Sequence, residues 1–213
     1  YKGEALNNLS VFVNKFKSEK ANEEVTFKMF SSSIIVEGVN FILFEKNKKE
    51  EPIVYYKDIY GDFDDFKIVG SNVSANIHDL RVIENHDVVI TGFKSNFSYT
   101  DTKMEFLDTR LTTKGSELIA DIVFNYEPGD LSDFTNKVQI EADFKKSDIV
   151  LSDLKKLYGQ FGRHDIIHFT GQVKGTINDF VLENIDLESD RNSSLRGDVH
   201  LTNMLTPEKF KLT

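Results

Sequence analysis

Apolar and polar residues alternate along most of this chain, which is the pattern of β-strands with one buried face. Residues 72–78, 118–126, 138–144 and 169–177 each place apolar side chains at every second position. The pattern predicts an all-β protein whose strands are mostly antiparallel, with one apolar and one polar face to the sheet.

The alternation changes phase twice near the end of the chain. Phe180 and Leu182 have the opposite parity to the apolar positions of 169–177. A bulge or tight turn near residues 178–179 would keep them on the same face, and a second slip is needed at residues 183–184. A polar turn at residues 191–193 then leads into a last clear strand.

Two segments share a similar spacing of strand and turn patterns. They are residues 91–127 and 170–203, whose first threonines are 79 residues apart. Leu111 corresponds to Leu187 and Leu118 to Leu195, at offsets of 76 and 77 residues. This favours an internal repeat of about three strands. The alternative is two meanders of one ordinary sheet.

Three segments interrupt the alternation. The spacing of apolar residues predicts a short amphipathic helix over 152–162, with Ser152 as its N-cap, and a second helix over 4–17. The mixed charges of residues 45–51 predict a solvated loop tip, which Pro52 would close. We therefore expect one or two short helices beside the sheet.

The composition of the 213 residues limits the function. The net charge is −9, which argues against nucleic acid as a partner, because phosphate binding needs a basic face. The sequence has no run of about twenty apolar residues and no signal-peptide pattern. The absence of cysteine excludes a disulfide framework and thiol ligands. Because the first residue is Tyr1, we expect a piece of a longer chain.

Two clusters have the residue types of metal sites but the wrong setting. His164 and His168 are four residues apart, a zinc spacing on a helix, but they precede a strand pattern that would separate them by about 13 Å. Asp186, Glu188 and Asp190 resemble part of a calcium loop that lacks the glycine and final glutamate. We predict no metal site and no cofactor.

Catalytic motifs are also missing from the sequence. Asp62, Asp64 and Asp65 could form a carboxylate pair, but their alternation with phenylalanine predicts the solvated side of a strand or turn. A hydrolase using Asp62 or Asp65, or His164 with His168, is the enzymatic alternative. Since no nucleophile elbow or phosphate loop is present, we predict a protein that is not an enzyme.

The apolar face of such a sheet needs a cover. On the order of fourteen strands at about 4.8 Å each would make a sheet roughly 65 Å wide. Two short helices cannot cover it, and soluble monomers rarely expose so large an apolar surface. The face must pack on a second sheet, close into a barrel or hold something apolar. Periodicity does not choose among the three.

A family resemblance covers nearly the whole chain, and three runs carry it: FSYTDTKMEFLDTRLTTKGSELIADIVF, LSDFTNKVQIEADFKKSDIVLSDLKKLYGQFG and FTGQVKGTINDFVLENIDLESDRNSSLRGDVHLTN. They resemble the AsmA-like family of envelope proteins, and within it the TamB-type homologues of Bacteroidetes bacteria. The shared features are alternating strand patterns with the recurrent short sequences Gly, Asp-Phe, Asn-Lys-Val and Gly-Asp-Val-His-Leu. They do not include a catalytic signature.

The resemblance implies a fold and a function. Family members are anchored in the inner membrane and cross the periplasm as a long sheet curled into an open hydrophobic groove, the β-taco. They are associated with phospholipid transport between the membranes and with outer-membrane protein assembly, together with a BamA-type barrel. Residues 1–213 would then be a single elongated segment of the groove. The anchor and the barrel contact would lie in other regions of the full-length protein.

The predicted groove would hold phospholipid acyl chains or, transiently, a hydrophobic strand of an outer-membrane protein. Its candidate lining residues share the apolar parity of their strands: Val73, Ala75, Ile77, Phe93, Phe97, Leu118, Ala120, Ile122, Phe124, Val138, Ile140, Ala142, Phe144, Val173, Ile177, Leu195, Val199 and Leu201. The alternative function is an extracytoplasmic β-sandwich adhesin or binding module with a closed, dry core.

Overall fold

Strands make up most of the described chain, as the alternating pattern predicts. The computed structural model describes residues 27–45, 48–84, 89–154, 165–206 and 208–213. Twelve strands occupy these ranges: β1 Lys28–Glu45, β2 Lys48–Val69, β3 Asn72–Glu84, β4 Val89–Ile90, β5 Gly92–Tyr99, β6 Lys103–Thr112, β7 Glu117–Asn125, β8 Gln139–Val150, β9 Ile166–Gly175, β10 Asp179–Ser189, β11 Ser194–Thr202 and β12 Lys211–Leu212.

All twelve strands belong to one antiparallel sheet. Each pairs with the strand that follows it, except that β4 and β5 pair with different halves of β3. β1 and β12 are the two edges and do not pair with each other, so the sheet in the described ranges is open and curled. The predicted fold class is confirmed. The second sheet of a sandwich and the closed seam of a barrel are both missing from this part of the chain.

The phase slips in the sequence correspond to real irregularities. The slip at residues 178–179 is a tight turn, in which Thr176 and Asp179 each donate a backbone hydrogen bond to the other's carbonyl, at 2.7 and 3.2 Å. The slip at residues 183–184 is a bulge, where β10 changes register against both neighbours and Asn184 has φ of +52°. Both predictions are confirmed, and the turn at residues 191–193 joins β10 to β11.

Bulges recur across the sheet and bend it. The register shifts in every successive pairing from β5 to β11. Three bulge residues, Asp65, Asp108 and Asn184, have φ of 51°, 51° and 52°. Asp and Asn enter this left-handed region more readily than other residues with a Cβ. Since a bulge bends its strand and increases the local twist, a series of them curls the whole sheet.

Carboxylates on the neighbouring strands cap two of these bulges. The backbone N–H of Asp108 donates to Asp121 Oδ1 at 2.6 Å, and that of Asn184 donates to Asp198 Oδ1 at 2.8 Å. The offsets between the two caps are 76 and 77 residues, the same as between the paired leucines of the predicted repeat. Strands β5 to β7 and β9 to β11 therefore share a bulge and its cap as well as their alternation.

We expect Asp121→Ala to lower the free energy of unfolding by roughly 1 kcal/mol, because it leaves the bulge N–H without its charged acceptor. The Asp108 N–H, followed by Lys145 at 3.0 Å, holds the pKa of Asp121 below its ordinary value. The contribution is therefore fully present above the ordinary carboxyl pKa and is lost as pH falls through the lower folded value. Urea unfolding at neutral and strongly acidic pH measures it.

The control for this prediction is Asp143→Ala, since Asp143 is exposed and lies opposite Asp121 on β8. It should leave stability at neutral pH nearly unchanged. A loss for Asp121→Ala that does not shrink in acid would contradict the assignment of the carboxylate as the cap.

Within the described residues, two short helices accompany the sheet. Helix α1, Phe134–Lys137, follows a 3₁₀ turn at Asp130–Asp133 and lies between β7 and β8, where the sequence predicted no helix. Helix α2, Leu151–Leu154, begins one residue before the predicted N-cap Ser152. Residues 155–164 of that predicted helix, and the whole of the predicted helix at 4–17, lie outside the described residues.

The predicted loop over residues 45–51 is wrong. β1 extends to Glu45 and β2 begins at Lys48, and these two residues are paired. The described residues of the charge run, Glu45 and 48–51, therefore belong to the two strands of a long hairpin. Backbone pairing does not depend on apolar side chains, so register set by the apolar body of a hairpin can extend into a charged tip.

The core is thin, as a single sheet requires. Among the described residues, the buried hydrophobic side chains are few and mostly small: Ala75, Ile77, Val82, Ala120, Tyr126, Val138, Ala142 and Ile185. Most larger apolar side chains of the inner face remain partly exposed, because no second layer covers them within these ranges. This face is the candidate site.

Candidate functional site

Side chains on the inner face line up in rows that cross the strands. Residues directly opposite each other on antiparallel strands point to the same face, so the pairing defines each row. The first row, here called the central row, runs from β3 to β11 and is entirely apolar: Ala75, Phe97, Phe106, Ile122, Ala142, Val173, Leu182 and Val199.

A second row, here called the rim row, lies one step nearer to one end of the strands. It includes every strand except β4: Met29, Ile68, Val73, Tyr99, Met104, Phe124, Ile140, Gly175, Phe180, Leu201 and Leu212. The hydroxyl of Tyr99 is its only polar side-chain group. An apolar track therefore crosses the sheet from one edge strand to the other.

The opposite face is largely polar. Its row between the central and rim rows is Ser74, Ser98, Glu105, Val123, Glu141, Lys174, Val181 and His200. Ion pairs between neighbouring strands lie on this face. Lys174 Nζ is 2.6 Å from Glu183 Oε2, and Lys145 Nζ is 3.0 Å from Asp121 Oδ2. The two faces therefore differ in polarity from β3 to β11.

The sheet bends along the bulges beside the central row. Phe93 lies opposite Leu111, and Phe106 is five residues from Leu111 along β6. Five extended residues span about 17 Å, yet the rings of Phe93 and Phe106 have centroids only 6.0 Å apart. Curling at the Asp108 bulge brings the two rings together. The inner face is therefore concave.

Small residues occupy the inside of this bend. Ser95, Thr109 and Ala120 are at most 2 % exposed. The hydroxyls of Ser95 and Thr109 lie 2.9 Å apart, and Ser95 also donates to the carbonyl of Leu107 at 3.2 Å. Because these hydroxyls are hydrogen-bonded to each other and to the backbone, they can be buried under the apolar face without a large penalty.

The concave face contains a cavity of about 450 Å³, which is lined by strands β7 to β10, by α1 and by the turns after β9 and β11. Its lining is apolar except for Thr176: Ile122, Phe124, Phe134, Ile140, Ala142, Phe144, Val173, Thr176, Ile177, Phe180, Met204 and Leu205. No charged side chain lines it. A cavity with this lining suits an uncharged, apolar ligand or part of one.

The structure places most of the predicted lining residues on the inner face. Seven of them line the cavity: Ile122, Phe124, Ile140, Ala142, Phe144, Val173 and Ile177. Val73, Ala75, Phe97, Val199 and Leu201 belong to the central or rim rows outside it. Phe93 and Leu118 both face Leu111, farther along the strands.

The remaining predicted lining residues differ in exposure. Ala120 and Val138 are 0 % exposed, so they pack beneath the groove surface, and Val138 precedes β8 rather than lying within it. Ile77 is buried on β3. Leu195 is 49 % exposed, near the free edge of the sheet. None of these four side chains lines the cavity, although the alternation of their strands predicts that they line the groove.

Several lining residues are absent from the sequence-based set. Phe180 and Phe106 follow the strand alternation and could have been included on that signal. Phe134, Met204 and Leu205 lie outside the strands, in α1 and in the turn after β11. Periodicity carries no information about such residues, because only the path of the chain brings them back to the sheet.

The side chains considered as metal ligands or catalytic groups are spread over the polar face. His168 Nδ1 lies 2.6 Å from Asp148 on β8, whereas His164 lies outside the described residues. Arg196 Nη2 bonds Glu188 at 2.5 Å, and its Nε bonds Asp186 at 2.9 Å. In the calcium-like segment, arginine is thus the cation that meets these two carboxylates.

The aspartates of β2 are also dispersed. Asp64 lies 2.9 Å from His78, and Asp65 accepts a hydrogen bond from Asn76 at 3.2 Å. Within the described ranges, no group of three or more His, Cys, Asp or Glu side chains is arranged to hold a metal ion. The inner face is therefore the feature from which a function can be argued.

Comparison with protein-family models, with curated proteins and with solved structures gave no match to this chain. Within the described residues, no helix has the length and apolar character needed to cross a bilayer.

Proposed function

We propose that the curled sheet is a segment of a groove that conducts phospholipid acyl chains between two membranes. The acyl chains lie against the concave apolar face and take the place of a second layer, which the described residues do not provide. The polar face remains in water. This is a transport function in which the protein supplies a surface and performs no chemical step.

The observation that carries the proposal is the continuity of the rim row. A binding pocket for one ligand needs apolar residues on a few neighbouring strands. Here the apolar positions extend from Met29 on β1 to Leu212 on β12, over eleven strands. A track that reaches both edges suits cargo that moves along the sheet, since each position resembles the next.

The energetics suit the same cargo. Each methylene that leaves water contributes about 0.8 kcal/mol, so a chain of many methylenes binds without any polar contact. Because one row resembles the next, shifting the chain by one strand exchanges one set of apolar contacts for a similar set. Binding and movement are then compatible.

The proposed setting follows from the family resemblance. The segment would lie in the periplasm of a Gram-negative bacterium, within a protein anchored in the inner membrane. A BamA-type outer-membrane barrel would be the partner through regions outside these residues. A hydrophobic strand of an outer-membrane protein is a second cargo for the same groove, since its apolar side chains offer the same chemistry.

Photo-crosslinking in cells tests the proposal, with neighbouring residues of β7 as probe and control. A photoreactive amino acid at Ile122, in the central row, should form phospholipid adducts that mass spectrometry identifies. The same amino acid at Val123 should not, because Val123 lies between Glu105 and Glu141 on the polar face.

A second pair on β10 repeats the comparison. Leu182 belongs to the central row and Val181 to the polar face. Adducts at Val123 and Val181 equal to those at the inner positions would contradict the proposal. Adducts with protein only would favour the outer-membrane strand as cargo. If no adducts form in cells and the purified protein carries no lipid, a binding module is favoured.

A further inference from the structure

Residues beyond the strand ends fold back over one side of the groove. Phe134 in α1 and Met204 and Leu205 in the turn after β11 lie past the last residues of their strands. They nevertheless line the same cavity as the central and rim rows. The ring of Phe134 packs on Phe124 of the rim row, with centroids 5.5 Å apart. We call Phe134, Met204 and Leu205 the overhang.

One residue joins the two halves of the overhang. Asn178, in the turn between β9 and β10, donates its N–H to the carbonyl of Thr135 and its Nδ2 to Asn136 Oδ1, both at 3.1 Å. On its other side it accepts from Met204 N–H through its carbonyl and from Leu205 N–H through Oδ1, both at 3.2 Å. Asn178 therefore holds α1 and the turn after β11 in place at once.

The meander does not need the α1 segment for its connectivity. Thirteen residues, 126–138, join β7 to β8, whereas two to four residues join β2 to β3, β5 to β6, β6 to β7, β9 to β10 and β10 to β11. Neighbouring antiparallel strands require only a tight turn. The extra length is used to carry Phe134 over the cavity.

We propose that the overhang retains an apolar chain in the groove and that Asn178 is the positioning residue that holds the overhang over the cavity. The inference rests on the proposed function and specifies how cargo is held in this segment. A chain on an open sheet contacts protein on one side only. Under the overhang it contacts apolar side chains on a second side, and it leaves when these move apart or when it slides along the rows.

The overhang has few and exposed links, which suits reversible opening. Leu205 is 52 % exposed, and the side-chain hydrogen bonds of Asn178 to Asn136 and Leu205 are open to solvent. Segments with few buried contacts and solvent-exposed hydrogen bonds open more readily than the sheet that carries them. Retention and release of a chain can then occur without unfolding of the strands.

Dissociation kinetics of a fatty acyl probe test this inference. The 213-residue chain is loaded with cis-parinaric acid, and release to an excess of phosphatidylcholine vesicles is followed by stopped-flow fluorescence. We expect Phe134→Ala and Leu205→Ala to release the probe about tenfold faster, because each removes apolar contacts from the outer side of the chain. The association rate should change little.

Asn178→Ala should have the same effect on dissociation although its side chain is not a lining group. Asn178→Asp keeps the acceptor for Leu205 N–H and should restore a slower release than Asn178→Ala. Asn136→Ala removes one side-chain link only, and it provides the test if Asn178→Ala does not fold. Leu131→Ala is the matched control, since Leu131 is 40 % exposed in the same segment and does not line the cavity.

The two proposals fail in different ways. If the wild-type chain binds the probe and all the variants release it at the same rate, the overhang has no retaining role and the groove function is untouched. If Leu131→Ala accelerates release as much as Phe134→Ala, the effect is general loosening and the inference is wrong. If the wild-type chain binds no probe, the proposed function is wrong and the inference falls with it.

Discussion

Gly175→Ala should lower the free energy of unfolding by about 2–6 kcal/mol, the combined cost of backbone strain and overpacking. Gly175 ends β9 with φ of +130°, a conformation that residues with a side chain rarely adopt. A methyl group there would lie 2.3 Å from the carbonyl oxygen of Asp179 and 2.7 Å from Cα of Phe180. Both are backbone atoms of the tight turn, so relief would require breaking the pairing of β9 and β10.

Gly197→Ala is a matched control for this prediction. Gly197 on β11 has φ of +135°, but nothing lies within 4 Å of the position of its Cβ. Its substitution should therefore cost only the strain of about 1–3 kcal/mol. Urea unfolding followed by far-ultraviolet circular dichroism measures both variants. Equal losses would mean that close packing at the β9–β10 turn contributes nothing to stability.

Ile122→Glu should weaken the binding of a neutral, pyrene-labelled alkane by at least about a hundredfold, since an unpaired charge facing an apolar ligand costs several kcal/mol. Ile122 lines the cavity, where Thr176 is the only polar side chain. The ligand would have to remove water from the carboxylate without offering it a hydrogen bond. Fluorescence titration of the purified chain gives the ratio of dissociation constants.

The control for the groove prediction is Val181→Glu on the polar face. Val181 lies opposite Lys174 on β9 and His200 on β11, so a carboxylate there is well placed. It should leave binding within about twofold of the wild type and stability nearly unchanged, as surface substitutions usually do. A loss of binding in both variants would indicate that negative charge anywhere on the sheet is sufficient, and the groove would not be the site.

The sequence predicts the inner face best where apolar residues alternate with a period of two. The alternation of apolar residues predicts that Ile122, Phe124, Ala142 and Val173 share one face, and all four line the cavity. The phase slips at residues 178–179 and 183–184 were visible for the same reason. A single polarity change in a strand reports a turn or a bulge directly.

Alternation does not predict the features that backbone pairing or the path of the chain decides. The charged residues 45–51 have the composition of a loop, but Glu45 ends β1, residues 48–51 belong to β2, and Glu45 pairs with Lys48. Phe134, Met204 and Leu205 gave no periodic signal, because they belong to a short helix and a turn. Asn178 looked like an ordinary turn residue, and its four hydrogen bonds exist only once three segments meet.

By itself, the sequence determined that this chain makes antiparallel strands with one apolar and one polar face, since the alternation of side chains is a local property of an extended backbone. The tertiary structure alone decided that these strands form one open sheet, that bulges at residues such as Asp108 bend it into a groove, and that α1 and the turn after β11 overhang it. Contacts between residues far apart in the chain decide whether the sheet closes, how strongly it bends and what lies over it. Alternation cannot predict these features, because it is the same in a sandwich, a barrel and a groove.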